Sequence, residues 1–551
     1  MRAAALILIL LTGAWTAKAH MEMGVPLESD AEARIVVTSC FDNLALPGYA
    51  PVNVTINNHS GQTQRWEFEF SSPAYVYGSA NVVKSTFTLT AENNGTRTTS
   101  LLVPTVLSSN GQMPIQLTVT GYGATGDEQI LGGPSTRTGK TRTAFVAISE
   151  SLGTSLWSGL QAKVDTAGME LMGSTVNPDE LPEDWRGLSG VGALWLTGDE
   201  LNGLSPAQRQ AVATWVRTGG WLMLCGVTAV PDDLQYAGFG KVRALPAKLD
   251  LSQTAEIIEK LPRREGTFDT GTGARYNELA EVRPNVLLLG GFIGIFAIIV
   301  GPVNVFGLAR RRRERLFWTT PLMSLCASGL LMGMIVAKDG TGGHGYRRAV
   351  VCLFPGSRTA VVRQEQISRT GVLMSSAFQT RDPVSMQELD IVTPDSPLAG
   401  SDDTPGRELR NEGTAFAKDW FETRAVQAQR IVAVTPTRAE ITLLNAADVR
   451  DKGAAPVIVS SFGTTLDTFD YHDENHRPWQ GTNIRTGEKQ TLQPSNEPVT
   501  GLPSDPIVVQ EANRSGYFRA TASSGDDYVA TLGSIRWTDE PVVYVGPVTG
   551  E

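Results

Sequence analysis

Apolar and polar residues alternate with a period of two along the first part of the chain. The runs Arg34–Thr38, Val52–Ile56, Arg65–Phe70, Ser85–Thr90, Thr99–Val103 and Ile115–Val119 are separated by turn-forming residues. Pro47-Gly48, Asn57-Asn58, Asn93-Asn94-Gly95 and Asn110-Gly111 are such turns. Short alternating strands at this spacing predict an all-β sandwich over residues 31–122. The period then changes. Thr143–Ser149, Val191–Thr197 and Trp221–Cys225 are short continuous apolar runs, as expected of strands buried on both faces. Before the third run, Ser205-Pro206-Ala207-Gln208 forms a capping box with proline at the first helical position. Ala211, Val212, Trp215 and Val216 share one helix face, and Gly219-Gly220 ends the helix. Strand, capped helix, strand is a βαβ unit, so residues 140–268 are expected to hold a parallel sheet.

Two uncharged apolar segments come next, Val286–Leu308 and Leu316–Ala337, each about the 20 residues that span a bilayer. Between them, the loop 309–315 carries Arg310, Arg311, Arg312, Arg313 and Arg315. Arginines beside a membrane helix stay on the cytoplasmic side, which predicts a helical hairpin with a cytoplasmic tip and everything else outside. Gly290 and Gly294 in one segment, and Gly329 and Gly333 in the other, are spaced to let helix backbones approach. Residues 1–19 read as a secretory signal: Arg2, the apolar stretch Ala3–Ala14 and the small residues of Ala17-Lys18-Ala19. Residues 347–551 are again strand-rich, with candidates at Ala349–Phe354, Thr359–Val362, Arg430–Val434, Ile441–Leu444, Val457–Ser461, Tyr517–Thr521 and Val542–Val545. Ser396–Arg410 reads as a long polar loop.

Charge sharpens this picture. The chain carries −10, but the signal region and the arginine run are both positive, which leaves −16 for the exported remainder. An acidic ectodomain is repelled by nucleic acid and by anionic headgroups, so nucleic acid is not an expected partner. Cys40, Cys225, Cys326 and Cys352 are too few and too scattered for a disulfide framework.

Particular residues carry three resemblances. Pro47 to Asn58 (PGYAPVNVTINN) resembles the opening strands of immunoglobulin-like domains on bacterial surface proteins. Leu194–Gly198 with Gly219–Gly226 resembles the core of flavodoxin-like and class I glutamine-amidotransferase-like domains. Gly301-Pro302-Val303-Asn304, the arginine cluster and the aromatic and proline early in the second segment are similar to a group of uncharacterised bacterial envelope proteins with large extracytoplasmic domains. That last resemblance implies topology and architecture, with no activity to carry over. The expected fold class is a multidomain α+β membrane protein: N-terminal β-sandwich, flavodoxin-like α/β domain, two-helix transmembrane hairpin and C-terminal β-rich domain.

Candidate chemistry is sparse. Gly121-Tyr122-Gly123-Ala124-Thr125-Gly126 matches a dinucleotide fingerprint but has no helix after it, so it reads as a linker. Gly133–Thr141 misses the P-loop spacing by one residue. His472-Asp473-Glu474-Asn475-His476 has histidines four apart, but its glutamate is one place late for a metalloprotease, so a surface loop is expected. In a parallel sheet, ligands bind at the carboxyl ends of the strands. Those ends carry Glu150, Asp199 and Glu200, with Asp232 and Asp233 close behind, a possible ligand or cation edge. Cys225 lies near the position of an amidotransferase nucleophile, but no histidine occurs between His59 and His344 to act as its base. The reading is a membrane-anchored binding or scaffolding protein of the bacterial envelope without a cofactor. Its expected partners are the lipid bilayer and other envelope membrane proteins, and its oligomeric state is left open. An envelope hydrolase or amidase working from the same sheet is the alternative.

Overall fold

The computed structural model describes residues 21–41, 48–76, 79–105, 115–131, 141–142, 144–261, 279, 286–308, 314, 316–389, 406–410, 414–418, 420–495, 514–523 and 527–550. The signal region, the five loop arginines, most of Gly133–Thr141 and the Asn110-Gly111 turn lie outside them. The chain is a strand-rich α+β protein with several sheets and two compact units, residues 1–264 and 265–551.

The first unit begins with eight strands: β1 (Met21–Val25), β2 (Ala33–Ser39), β3 (Gly48–Asn58), β4 (Gln64–Val76), β5 (Ser79–Ala91), β6 (Gly95–Thr105), β7 (Ile115–Gly121) and β8 (Glu128–Leu131). Their pairings with one another are antiparallel, in the orders β1-β2-β3-β6 and β5-β4-β7-β8. Every second residue turns into one shared apolar layer: Val52, Val54 and Ile56 from the first sheet meet Trp66, Phe68 and Phe70 from the second. Each of the six alternating runs falls inside a strand. The turn residue Asn58 is itself buried, and its Nδ2 donates to the carbonyls of Gln62 (2.7 Å) and Ala91 (3.0 Å), tying two chain reversals together.

The same unit contains a parallel sheet of β9 (Val146–Ser149), β10 (Gly173–Val176), β11 (Ala193–Thr197), β12 (Trp221–Cys225) and β13 (Lys241–Leu245), ordered β10-β9-β11-β12-β13. In chain order this is 2-1-3-4-5, one of the two common orders of doubly wound sheets. Both faces are covered. Val146, Ile148, Trp195, Met223 and Cys225 pack on α1 (Thr154–Thr166) and, across residues such as Ala255 and Ile258, on α4 (Leu251–Glu259). Ala147, Leu194, Leu196, Leu222 and Leu224 pack on α3 (Pro206–Arg217). That second face also receives Cys40 and Phe41, which follow β2, with Phe41 and Phe145 edge to face at 5.7 Å. The Tyr49 N–H donates to Ser189 Oγ at 3.0 Å, and a Cβ on Gly48 would stand only 2.5 Å from that oxygen. The two regions therefore share a core, although the linker between them separates them in sequence.

The capping box forms as expected. Ser205 Oγ accepts from the Gln208 N–H (3.1 Å) and Gln208 Oε1 from the Ser205 N–H (3.0 Å). Gln208 does more than cap: its Nε2 also donates to the carbonyls of Asp179 and Leu181, both at 2.9 Å. Beyond the helix, a Cβ on Gly220 would stand 2.1 Å from the Trp215 ring, so the chain can cross that indole only as glycine.

In the second unit, α5 (Val286–Ile298) gives way to a π-helical stretch, Ile299–Leu308, that contains Pro302. Proline has no N–H to donate and its ring crowds the preceding turn, so regular α-helix does not continue through it. Among the described residues, one helix is therefore long and apolar enough to cross a membrane: 22 residues, Leu316–Ala337, within α6 (Leu316–Asp339). Gly290–Phe306 is a shorter apolar helix, so the predicted pair of equivalent spans becomes one full-length helix and one interrupted one.

Shortly after α6 begins β14 (Gly343–Phe354), which belongs to a ten-stranded sheet. Its others are β15 (Thr359–Thr370), β16 (Val384–Leu389), β17 (Val426–Pro436), β18 (Leu466–His472), β19 (Pro478–Ile484), β20 (Gln493–Pro494), β21 (Tyr517–Ala522), β22 (Ile535–Asp539) and β23 (Val542–Pro547). The order is β16-β17-β15-β14-β23-β21-β18-β19-β20, with β22 beside β14. Glu365 links three neighbouring strands by accepting from Arg348 (2.6 Å) and Arg430 (2.8 Å). Leu279, seven residues before α5, is buried against Ile367, Leu389 and Ala428, and its carbonyl accepts from Arg369 at 2.9 Å.

Gln208 both caps α3 and holds the turn before β11. We predict that Gln208→Met destabilises the first unit by about 2–3 kcal/mol, since it strands buried carbonyls, whereas Ser205→Ala costs about 1 kcal/mol. Denaturant unfolding of the two variants checks the ranking; equal effects would mean that the extra hydrogen bonds of Gln208 are energetically silent.

Candidate functional site

The strand order reverses between β9 and β11, and the crevice outside their carboxyl ends is where such sheets bind ligands. Each strand there runs directly into a helical turn. Ser149 ends β9, caps the turn Glu150–Leu152 and is fully buried. Thr197 ends β11 and caps the short helix α2 (Gly198–Gly203).

Glu200, in the first turn of α2, is partly exposed at these strand ends. Its Oε2 accepts from the Thr197 N–H at 2.8 Å, and the Thr197 hydroxyl accepts from the Glu200 N–H at 3.2 Å. Its Oε1 accepts from the Ser149 hydroxyl, which in turn lies 3.3 Å from Ser151 Oγ. Burial alone would raise the Glu200 pKa. Hydrogen bonds from Ser149, Ser151 and Thr197 outweigh that effect and hold the carboxyl below its usual range. The group is an anion whose charge is already spent on its own neighbours.

Cys225 ends β12, beside Thr197 in register, and is 2% exposed. Burial, and then the negative charge of Glu200, pushes its thiol up to about 11. A thiolate at that position is rare at neutral pH, the reverse of what an activated nucleophile needs.

The remaining predicted acids do not join this centre. Asp233 faces α3, where Arg209 Nη2 meets it at 3.1 Å, and Asp232 accepts from Gln235 Nε2 at 2.8 Å. Glu150 and Asp199 occupy the first turns of their two helical segments, where negative charge complements the exposed N–H groups. Among the described residues, no group of three or more His, Cys, Asp or Glu side chains is placed to hold a metal ion. Asp232 and Asp233 are thus engaged in local contacts, while Glu150 and Asp199 sit at the starts of helical turns. Thr197-x-x-Glu200 is itself a capping-box pattern, and that signal was present in the sequence beside the Ser205 box.

The other motifs resolve into turns. Gly121–Gly126 joins the antiparallel strands β7 and β8, with Gly123 and Gly126 at φ of 63° and 74°, so it is a built turn rather than a loose linker. The His472–His476 segment joins β18 to β19. Its organiser is the buried Asp473, which accepts from Arg477 Nε (2.7 Å) and Trp479 Nε1 (3.1 Å). His476 Nδ1 instead meets Ser515 Oγ at 2.7 Å.

No protein-family model matches the chain, and a search of curated proteins finds no match. Solved structures align with it at low scores. An exo-β-N-acetylglucosaminidase from Vibrio harveyi aligns at 11% identity and a TM-score of 0.11, over 30% of this chain and 31% of that one. A calcium-binding mutant of Bacteroides uniformis β-glucuronidase 2 aligns at 8% identity and 0.13, over 40% and 24%. A glycosyl hydrolase family 2 member from Bacteroides cellulosilyticus aligns at 9% identity and 0.15, over 94% and 78%. Likeness at these scores carries no argument about this chain.

A buried thiol also leaves a mark on stability. A free cysteine ionises near pH 8.5, whereas folded Cys225 holds its proton to about 11. In that window the folded state binds more protons than the unfolded one, so stability falls as pH rises. We predict a Cys225-dependent loss on the order of 2–3 kcal/mol between pH 8.5 and 11, absent in Cys225→Ala. Unfolding of both proteins across that range measures the difference in slope; parallel slopes would mean that the thiol is not kept protonated by folding.

Proposed function

We infer that this chain is a membrane-anchored extracytoplasmic protein of the bacterial envelope that works as a binding or scaffolding subunit. In this reading residues 31–122 form an immunoglobulin-like β-sandwich and residues 140–268 a flavodoxin-like α/β domain. The segments 286–308 and 316–337 form a transmembrane hairpin about the cytoplasmic loop 309–315, and residues 347–551 form a β-rich extracytoplasmic domain. The observation that carries the reading is the crevice of the parallel sheet, where Glu200 is engaged by Ser149, Ser151 and Thr197 and Cys225 is buried beside it. A crevice whose central carboxylate is held by its own neighbours and whose thiol stays protonated suits a domain that presents a surface. The 2-1-3-4-5 strand order supports the flavodoxin-like assignment.

Anchoring is supported by the 22-residue apolar helix and by its aromatic start. Phe317 and Trp318 are each 76% exposed next to the arginine loop, as aromatic residues at a membrane–water boundary are. The partners implied are the lipid bilayer and other envelope membrane proteins, while the acidic exported remainder disfavours nucleic acid.

Two measurements test this reading. Reporter fusions after Glu551 should report an extracytoplasmic C-terminus, and fusions within 309–315 a cytoplasmic loop. Cytoplasmic activity at the C-terminus would sink the topology. A thiol-reactive probe should label Cys225 slowly at pH 6, compared with Cys225→Ser. Rapid Cys225-dependent labelling would reveal an activated thiolate and put the hydrolase or amidase reading first.

A further inference from the structure

Asn304 is fully buried, although the apolar helix around it is largely exposed. It stands in the π-helical stretch, two residues after Pro302. Both ends of its carboxamide reach α6. Nδ2 donates to Thr320 Oγ1 at 3.0 Å, and Oδ1 accepts from Thr319 Oγ1 at 2.7 Å. One side chain thus engages two successive hydroxyls on the opposite helix. Sliding either helix by one residue, or rotating it by one position, would break at least one bond.

The backbone explains how Asn304 comes to face α6. A stretch closed by i→i+5 hydrogen bonds holds more residues per turn than an α-helix, so side chains inside it drift away from the faces that α-helical spacing would give them. The interruption at Ile299–Leu308 therefore re-aims the side chains within it, Asn304 among them. Contact between the two apolar helices is concentrated in this stretch, not in α5. The glycines spaced for helix packing behave differently. Around Gly290, Gly294, Gly329 and Gly333, no heavy atom of the described residues beyond the local helix backbone lies within 4 Å of the point a Cβ would occupy. Close approach within the chain is made by a polar clip rather than by the glycine faces.

We propose that Asn304 is the register pin of the apolar hairpin: with Thr319 and Thr320 it fastens the arginine-side ends of the two helices and leaves the glycine faces uncommitted within the chain. Its geometry stands by itself, but its surroundings rest on the membrane reading above. In hydrocarbon a carboxamide has few alternative partners, so a buried Asn–Thr–Thr cluster specifies pairing better than apolar contacts that any sliding position satisfies.

The test is a mutant cycle on the full chain in mild detergent, with the folded fraction read by protease resistance in rising SDS. Asn304→Leu, the pair Thr319→Val with Thr320→Val, and the three changes together are compared. Each set should shift the unfolding equilibrium by about three- to tenfold. The triple variant should be no worse than the more damaging of the other two, because each removes the same cluster. Effects that multiply would overturn the proposal. Gly333→Ile should leave the equilibrium unchanged; a loss as large as that of Asn304→Leu would return the packing role to the glycines. Alkaline carbonate extraction of the wild type separates the two claims. A chain washed off the membrane would remove the membrane reading, while the cycle would still decide the clip.

Discussion

Burial of the parallel sheet on both faces is the constraint on which the first unit depends. A parallel strand has no polar face to turn to water, so every residue of β9 and nearly all of β11 and β12 must be covered. One face is covered conventionally by α1 and α4. The other has α3 and is completed by Cys40 and Phe41 from the antiparallel region. The tight crossing of Gly220 beside Trp215 and the close approach of Gly48 to Ser189 are consequences of that burial.

The electrostatics of the strand ends have the same origin. A carboxylate next to a dry sheet must find donors or take up a proton. Glu200 finds hydroxyls and a backbone N–H, so it stays ionised while held by its neighbours. Its field then acts on Cys225 and adds to burial in pushing that thiol up. Glu365 shows the other solution in the second unit: burial would raise its pKa, but the Arg430 and Arg348 guanidinium groups on neighbouring strands pull it down. One carboxylate is neutralised by dipoles and the other by charges. Only the second kind can link three strands by salt bridges.

Much of this was legible in residue order because it depends on local period and local chemistry. The six alternating runs, the βαβ unit and the Ser205–Gln208 cap all appear where their patterns put them. The strands β10 and β13 were not legible: Gly173–Val176 has only four residues, and Lys241–Leu245 carries two cations. Pairing with a formed sheet, not their own composition, makes them strands. The apolar segment 286–308 looked continuous because hydropathy is blind to what Pro302 does to backbone hydrogen bonding. At the candidate site, the acids could be counted from the sequence but not their partners. Asp233 belongs to Arg209, 24 positions earlier, and Glu200 to Ser149, 51 positions earlier. Such pairings are decided by which strand ends, helices and turns the fold brings side by side.

Cys40 and Phe41 carry a wider consequence. They leave the end of β2, in what sequence patterning treats as one module, and are buried in the core of the next. A module that lends two core residues to its neighbour cannot be exchanged, excised or duplicated alone. Whatever history assembled this chain, the two regions now have to be inherited as one piece, and recombination in the linker between them would leave a sheet with an uncovered face.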